Sequence, residues 1–191
     1  MEWLSDLKEK FSKRRIRNLD RTKEYSRDFV DLDSARYVGL IVNADETAGE
    51  DLDLIRTYMG ALRKRNKRLL LIEISFNKKA EPVLAKSGED IFINPTKLNW
   101  LDYPTPTIEN QIRKHELDIL MDFDLSVHMT SKYICSMARA KTRTGVHREG
   151  FESCYELMIN QVDAKVLGLK AMIKEFDYFL NMIDNGKKVK V

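Results

Sequence analysis

Two cysteines, four prolines and eight glycines are all that the 191 residues contain, and no apolar run approaches the ~20 residues needed to cross a bilayer. Each scarcity excludes a class. Cys135 and Cys154 are too few and too far apart for a disulfide scaffold or a Cys-x-x-Cys site, and suit a reduced compartment. So little glycine and proline excludes collagen-like and low-complexity chains. Residues 1–15 lack the apolar core and cleavage site of a signal peptide, so a cytoplasmic protein is expected, with the periphery of the inner membrane as the alternative. No Gly-x-Gly-x-x-Gly follows the first apolar run, where the turn reads Asn43-Ala44-Asp45-Glu46-Thr47-Ala48-Gly49. Two carboxylates in that turn repel a pyrophosphate rather than cradle it. There is no Gly-x-x-x-x-Gly-Lys-[Ser/Thr] and no Gly-x-Ser-x-Gly either, which argues against nucleotide hydrolysis and serine hydrolase chemistry.

What is present is 43% hydrophobic residues and a formal charge of +3 that is unevenly spread. Residues 1–27 hold nine bases against five acids, and Lys187, Lys188 and Lys190 lie near the other end. The body between them, residues 28–186, has 21 bases and 25 acids. An acidic body with basic ends suggests contact with an anionic partner, either nucleic acid or a membrane surface. The plain alternative is a solvated helix and a frayed tail that keep the protein soluble.

The chain divides into a basic amphipathic helical extension (residues 1–27), one α/β domain (28–186) and a basic tail (187–191). In the extension, Trp3, Leu4, Leu7 and Phe11 recur at helical spacing, and Lys8, Lys10, Lys13, Arg14, Arg15 and Arg17 are the candidate contacts to an anion. Docking of this helix on the body is expected to use mainly its first three turns. Tyr37 to Val42 and Leu69 to Ile74 are apolar runs of buried-strand length, separated by an amphipathic helix over residues 50–66. Asp90 to Ile93 is a short third strand, and Pro82 to Lys86 a loop or brief turn. Thr107 is positioned to cap a helix bearing Ile108 and Ile112. Strand Leu117 to Phe123 precedes a helix from His128 to Ala140, then strands at Thr142 to Val146 and Tyr155 to Val162. A long helix from Asp163 or Ala164 to Asp184 closes the body, with Val166, Leu169, Ile173, Phe176, Leu180 and Ile183 as the face expected to pack on the sheet. Strands alternating with helices predict a three-layer α/β sandwich around a mainly parallel, Rossmann-like sheet.

In such a sheet, ligands sit beyond the carboxyl ends of the strands where the strand order reverses. The candidate pocket residues there are Asn43, Asp45, Ser75, Asn94, Asp122, Asp124, Ser126 and His128. Asp118, Asp122 and Asp124 share one face of a strand, so with His128 they could bind a hard metal or act as acid and base. The plainer reading pairs Asp122 with Arg139 or Arg143, or has it accept backbone N–H groups from neighbouring loops, and uses Asp124 or Ser126 to cap the next helix. His115 and His147 read as surface residues and Cys135 as a small core residue, which leaves Cys154 as the more reactive thiol. Trp100 and Tyr103 either form a recognition loop or, as favoured here, fold back over a sheet edge.

Two resemblances bear on function. The basic helix from Trp3 to Arg17, Lys97-Leu98-Asn99-Trp100, Leu117-Asp118-Ile119-Leu120-Met121-Asp122 with Ser126, Ala138 to Gly145 and Tyr155-Glu156-Leu157-Met158-Ile159 together resemble a family of short uncharacterised bacterial proteins. That resemblance implies no activity. Residues 117–145, an Asp-x-x-x-Asp strand, a serine, a helix and Ala-x-Ala-x-x-Arg-x-Gly, are similar to the acceptor-side, N-terminal domain of heptosyltransferase-like glycosyltransferases. Those enzymes hold their nucleotide-sugar donor in a second domain, for which 191 residues leave no room, so the similarity implies a half that kept the fold without the transferase chemistry. The expectation is therefore a binding or adaptor module with no catalytic residues, metal or cofactor, its partner RNA or a ribonucleoprotein. A membrane-surface protein, or a small-molecule enzyme using Asp122, Asp124 and His128, is the alternative; a protein partner or a homodimer stays open.

Overall fold

The computed structural model describes residues 10, 11, 13–16, 18, 19, 28–126 and 128–182, with the side chains of 161–167 excepted. Six strands form one sheet in the order β3-β2-β1-β4-β5-β6, and every pairing is parallel. They are β1 (Tyr37–Asn43), β2 (Arg68–Ile74), β3 (Ile91–Ile93), β4 (Glu116–Asp122), β5 (Arg139–Val146) and β6 (Leu157–Ile159). The helices are α1 (Glu50–Lys64), α2 (Pro106–Arg113), α3 (Met129–Met137) and α4 (Gln161–Met182). Residues 10, 11, 13–16, 18 and 19 are also helical. The architecture is the expected three-layer, Rossmann-like α/β arrangement.

The pleat of β1 shows how one sequence serves two cores. Val38, Leu40 and Val42 enter the layer that holds α1 and α4, while Ile41 enters the layer of α2 and α3. β1 is covered on both faces, which is why it reads as an unbroken apolar run. α1 follows from ordinary helix chemistry: Glu50, Asp51 and Asp53 occupy its first turn, Arg63 and Lys64 its last, and Ile55, Tyr58, Met59 and Leu62 face inward. Asn66, at φ 58°, turns the chain out of the helix into β2.

Several boundaries differ from expectation for physical reasons. Pro106, not Thr107, opens α2, because a fixed φ and a missing N–H are tolerated at the first helical position. A 3-10 turn at Pro95–Lys97, capped by Asn94, was not foreseen. α3 stops at Met137 rather than Ala140: Ala138 is extended, and Arg139 and Ala140 pair with Glu116 and Leu117 of β4, an exchange reinforced by the Arg139–Glu116 ion pair at 2.6 Å. β6 is limited to three residues by its pairing with Thr144, Gly145 and Val146. α4 therefore begins early, and Gly168, at φ 70° and ψ −176°, interrupts it. The expected inward residues Leu169, Ile173, Phe176 and Leu180 are buried beyond that break; Val166 has an undescribed side chain, and Ile183 lies outside the described residues.

In the loop between β2 and β3 a strand carboxylate gathers three successive backbone donors. Glu73, buried within β2, accepts the N–H groups of Val83, Leu84 and Ala85 at 2.8, 2.9 and 2.7 Å. Among the described residues, no helix is long and apolar enough to cross a membrane.

Candidate functional site at the strand-order reversal

The order reverses between β1 and β4, so Asn43 and Asp122 end the two strands that flank the crevice. Around that point the structure gathers Asn43, Asp124 and His128. Asp124 is buried just past the end of β4; its Oδ2 accepts the His128 N–H at 2.6 Å and the Ser131 hydroxyl at 2.8 Å. Its Oδ1 faces His128 Nδ1 at 3.0 Å. Asn43 Nδ2 lies 3.3 Å from the same ring nitrogen, and the Phe76 ring stacks on the imidazole at a centroid distance of 4.5 Å. Glu46, exposed in the turn after β1, brings a second carboxylate, such that Glu46, Asp124 and His128 offer ligand atoms within 4.8 Å of one another.

The electrostatics follow from this contact. The hydrogen bond to Asp124 raises the His128 pKa against the cost of burial, and Glu46 adds to the effect. Burial works to raise Asp124, yet His128, Lys132 and Ser131 outweigh it and its carboxyl is lowered. The pair is thus a carboxylate and an imidazole that mutually favour their charged forms.

Asp45 and Ser75 lie beside this group in a supporting role. The Ser75 hydroxyl donates to Asp45 Oδ1 at 2.6 Å, the Phe76 N–H donates to Oδ2 at 2.5 Å, and the Asp45 N–H donates to Asn43 Oδ1 at 3.1 Å. These bonds tie the β1 and β2 exits together and fix the Phe76 platform. Asn94 spends its side chain on its own turn, accepting from Thr96 N–H and hydroxyl, and Ser126 is exposed. Asp118 sits at the opposite end of β4, where it accepts Arg36 and Tyr37 N–H groups and pairs with Lys141 at 2.7 Å.

Asp122 is not paired with Arg139 or Arg143. Its partner is Lys132 of α3 at 3.2 Å, and both side chains are 0% exposed. Tyr155 completes the group by donating to Asp122 Oδ2 and accepting from Lys132 at 2.5 Å, while Asp122 Oδ1 accepts the Asp124 N–H at 3.0 Å. Burial together with Asp122 pushes the Tyr155 hydroxyl pKa well up. Lys132 had a signal in the sequence: it is the one charged residue in Met129–Met137. Tyr155 had none beyond its aromatic character.

Cys154 does not have the character of a reactive thiol. It is buried in a 3-10 turn, the Ser136 hydroxyl lies 3.2 Å from its sulfur, and burial pushes its thiol up to about 11. Cys135 is a fully buried core residue, as expected. The Trp100 and Tyr103 pair divides: Tyr103 is buried and stacks on Tyr133 at 4.1 Å, whereas Trp100 is 65% exposed.

Of the six basic residues singled out in the N-terminal helix, Lys8 and Arg17 lie outside the described residues. Of the apolar residues expected to dock this helix, Trp3, Leu4 and Leu7 also lie outside the described residues. Phe11 is 49% exposed, while Ile16 is 1% exposed and belongs to the core over α2 and α3. Arg15 donates to the Tyr133 hydroxyl from Nε at 3.1 Å and Nη2 at 2.9 Å, lies 3.5 Å from Glu109, and stacks over the Tyr103 and Tyr133 rings. Lys13 lies over Phe151 at 5.4 Å. Lys10 and Arg14 are exposed.

No curated protein and no solved structure matches the chain. Residues 8–183 match the family of unknown function DUF6913, and since that match covers nearly the whole chain, the protein belongs to this family.

Proposed function

We propose that the chain is a non-enzymatic binding module whose basic N-terminal helix contacts an anionic partner, RNA or a ribonucleoprotein. One observation carries this reading: with Ile16 in the core and Arg15 held by Tyr133 and Glu109, the helix is seated on the body while Lys10 and Arg14 stay exposed. Cations on a fixed support lose less freedom on meeting phosphates than cations on a frayed tail. The sealing of Asp122 by Lys132 and Tyr155 fits a body that does no chemistry at that carboxylate. Deleting the helix would strip Ile16 from the core, so the test is Lys10→Glu with Arg14→Glu in the full chain, titrated with labelled single-stranded RNA. The double variant is expected to bind about tenfold or more weakly; unchanged affinity rejects the reading. Binding to phosphatidylglycerol vesicles in place of RNA, lost on Phe11→Ser, would move the contact to a membrane surface.

A second reading is favoured by the convergence of Glu46, Asp124 and His128 at the strand-order reversal. A small-molecule or divalent-cation site there would suit the similarity of residues 117–145 to a glycosyltransferase half. Mn2+ or Zn2+ titrations that Glu46→Gln leaves unaltered would remove it.

A further inference from the structure

On the other face of the sheet from the N-terminal helix, a groove of about 390 Å³ runs between α1 and the loop joining β2 to β3. Its floor is apolar, made by Met59 of α1 with Val83 and Leu84 of the loop. Arg56, Arg63 and Lys86 line it as cations. Arg56 pairs with Asp53 at 3.0 Å in an exposed contact between neighbours on the same helix, which is worth little. The side chains of Arg63 and Lys86 make no hydrogen bond or ion pair with another described residue. The acids of the loop bond backbone donors, although Asp90 also lines the groove. Asp90 accepts the Leu71, Lys86 and Ser87 N–H groups at 3.2, 3.0 and 2.8 Å, and Glu73 is consumed by Val83, Leu84 and Ala85.

Two buried or half-buried carboxylates thus hold the loop in place through backbone donors, and the groove's lining sets the three cations Arg56, Arg63 and Lys86 against the single carboxylate of Asp90. Like charges around a low-dielectric floor focus a positive potential that an anion relieves. Guanidinium groups match phosphate oxygens bidentately and an ammonium adds a point charge. The volume falls at the small end of ligand sites, which run from ~300 to 1,000 Å³. We propose that this groove binds a small phosphate monoester with an apolar or aromatic body, the phosphate between Arg63 and Lys86 and the body on Met59, Val83 and Leu84. The site is independent of the N-terminal helix and of the crevice at His128.

The test titrates the full chain with adenosine 5′-monophosphate, 1-naphthyl phosphate, adenosine and inorganic phosphate, following amide shifts by NMR. At least one ester is expected to bind about tenfold more tightly than either of its parts, with shifts at residues 56–63 and 83–87. Arg63→Ala with Lys86→Ala, both exposed positions, should weaken the ester by about tenfold or more while leaving the fold intact. Val83→Ser should weaken the ester but not inorganic phosphate. Failure of both esters to bind, an ester no tighter than phosphate alone, or a double variant with unchanged affinity would each overturn the proposal.

Discussion

The Tyr155 ring fills the space that a side chain at Gly145 would need: a Cβ built on Gly145 would come within 2.4 Å of Tyr155 Cε1 and Cζ. The glycine of β5 is thus what lets the Tyr155 hydroxyl reach Asp122 and Lys132. Gly145→Ala forces the ring aside inside a packed interior, an overpacking that costs about 1–3 kcal/mol, and more if the hydroxyl leaves its partners. Urea denaturation should show this loss, and Tyr155→Phe, which keeps the ring, should cost about 1–3 kcal/mol by leaving buried polar atoms short of a partner.

The buried pair Asp122–Lys132 makes an asymmetric expectation. Lys132→Met leaves a carboxylate with 0% exposure without its counter-charge, a loss of about 3–5 kcal/mol. Combining it with Asp122→Asn removes the stranded charge while keeping an acceptor for the Asp124 N–H. The double variant should therefore be more stable than Lys132→Met alone, as read from denaturation midpoints at a common slope.

Acid sensitivity should include a share from Asp118. Burial acts to raise this carboxyl, but the Lys141 ammonium and the Arg36 and Tyr37 N–H groups outweigh it and hold it below the ordinary 3.8. A carboxyl depressed in the folded state contributes stability above its unfolded pKa and loses it as pH falls through the folded value. Asp118→Asn should flatten that part of the acid limb when unfolding free energy is measured from pH 6 to pH 2. An acid limb identical to wild type would contradict the assignment.

Thiol chemistry offers a simple contrast. Both cysteines are buried and both thiols are raised, Cys154 to about 11. Iodoacetamide at pH 8 should leave both unmodified in the folded protein and alkylate both in guanidinium, as counted by intact mass.

The sequence was most informative where a local pattern is enforced by the sheet. Tyr37 to Val42 and Leu69 to Ile74 read as buried strands because each is covered on both faces, and the stripe of Ile55, Met59 and Leu62 read as a helix because only one side is covered. The strand-end position of Asn43, Asp124 and His128 followed from fold grammar alone. Pairings between distant elements were not legible. Asp122 pairs with Lys132 and Tyr155 and not with Arg139, which meets Glu116 at the other end of β4, and nothing in the spacing of residues 122, 132 and 155 announces that meeting. Boundaries also shifted where a partner strand extended an element, as Glu116 and Leu117 do for Arg139 and Ala140. In the described part of the N-terminal helix Ile16 reaches the core and Phe11 does not, a choice that their spacing alone does not make.

The function proposed for the chain requires that the exposed bases of the seated N-terminal helix meet an anionic polymer. The direct measurement is the affinity of the full chain for single-stranded RNA at several salt concentrations, for wild type and for Lys10→Ala with Arg14→Ala. Removing two phosphate contacts from a single strand should reduce the slope of log affinity against log salt by about 1.4. A slope and an affinity indistinguishable from wild type would contradict the claim.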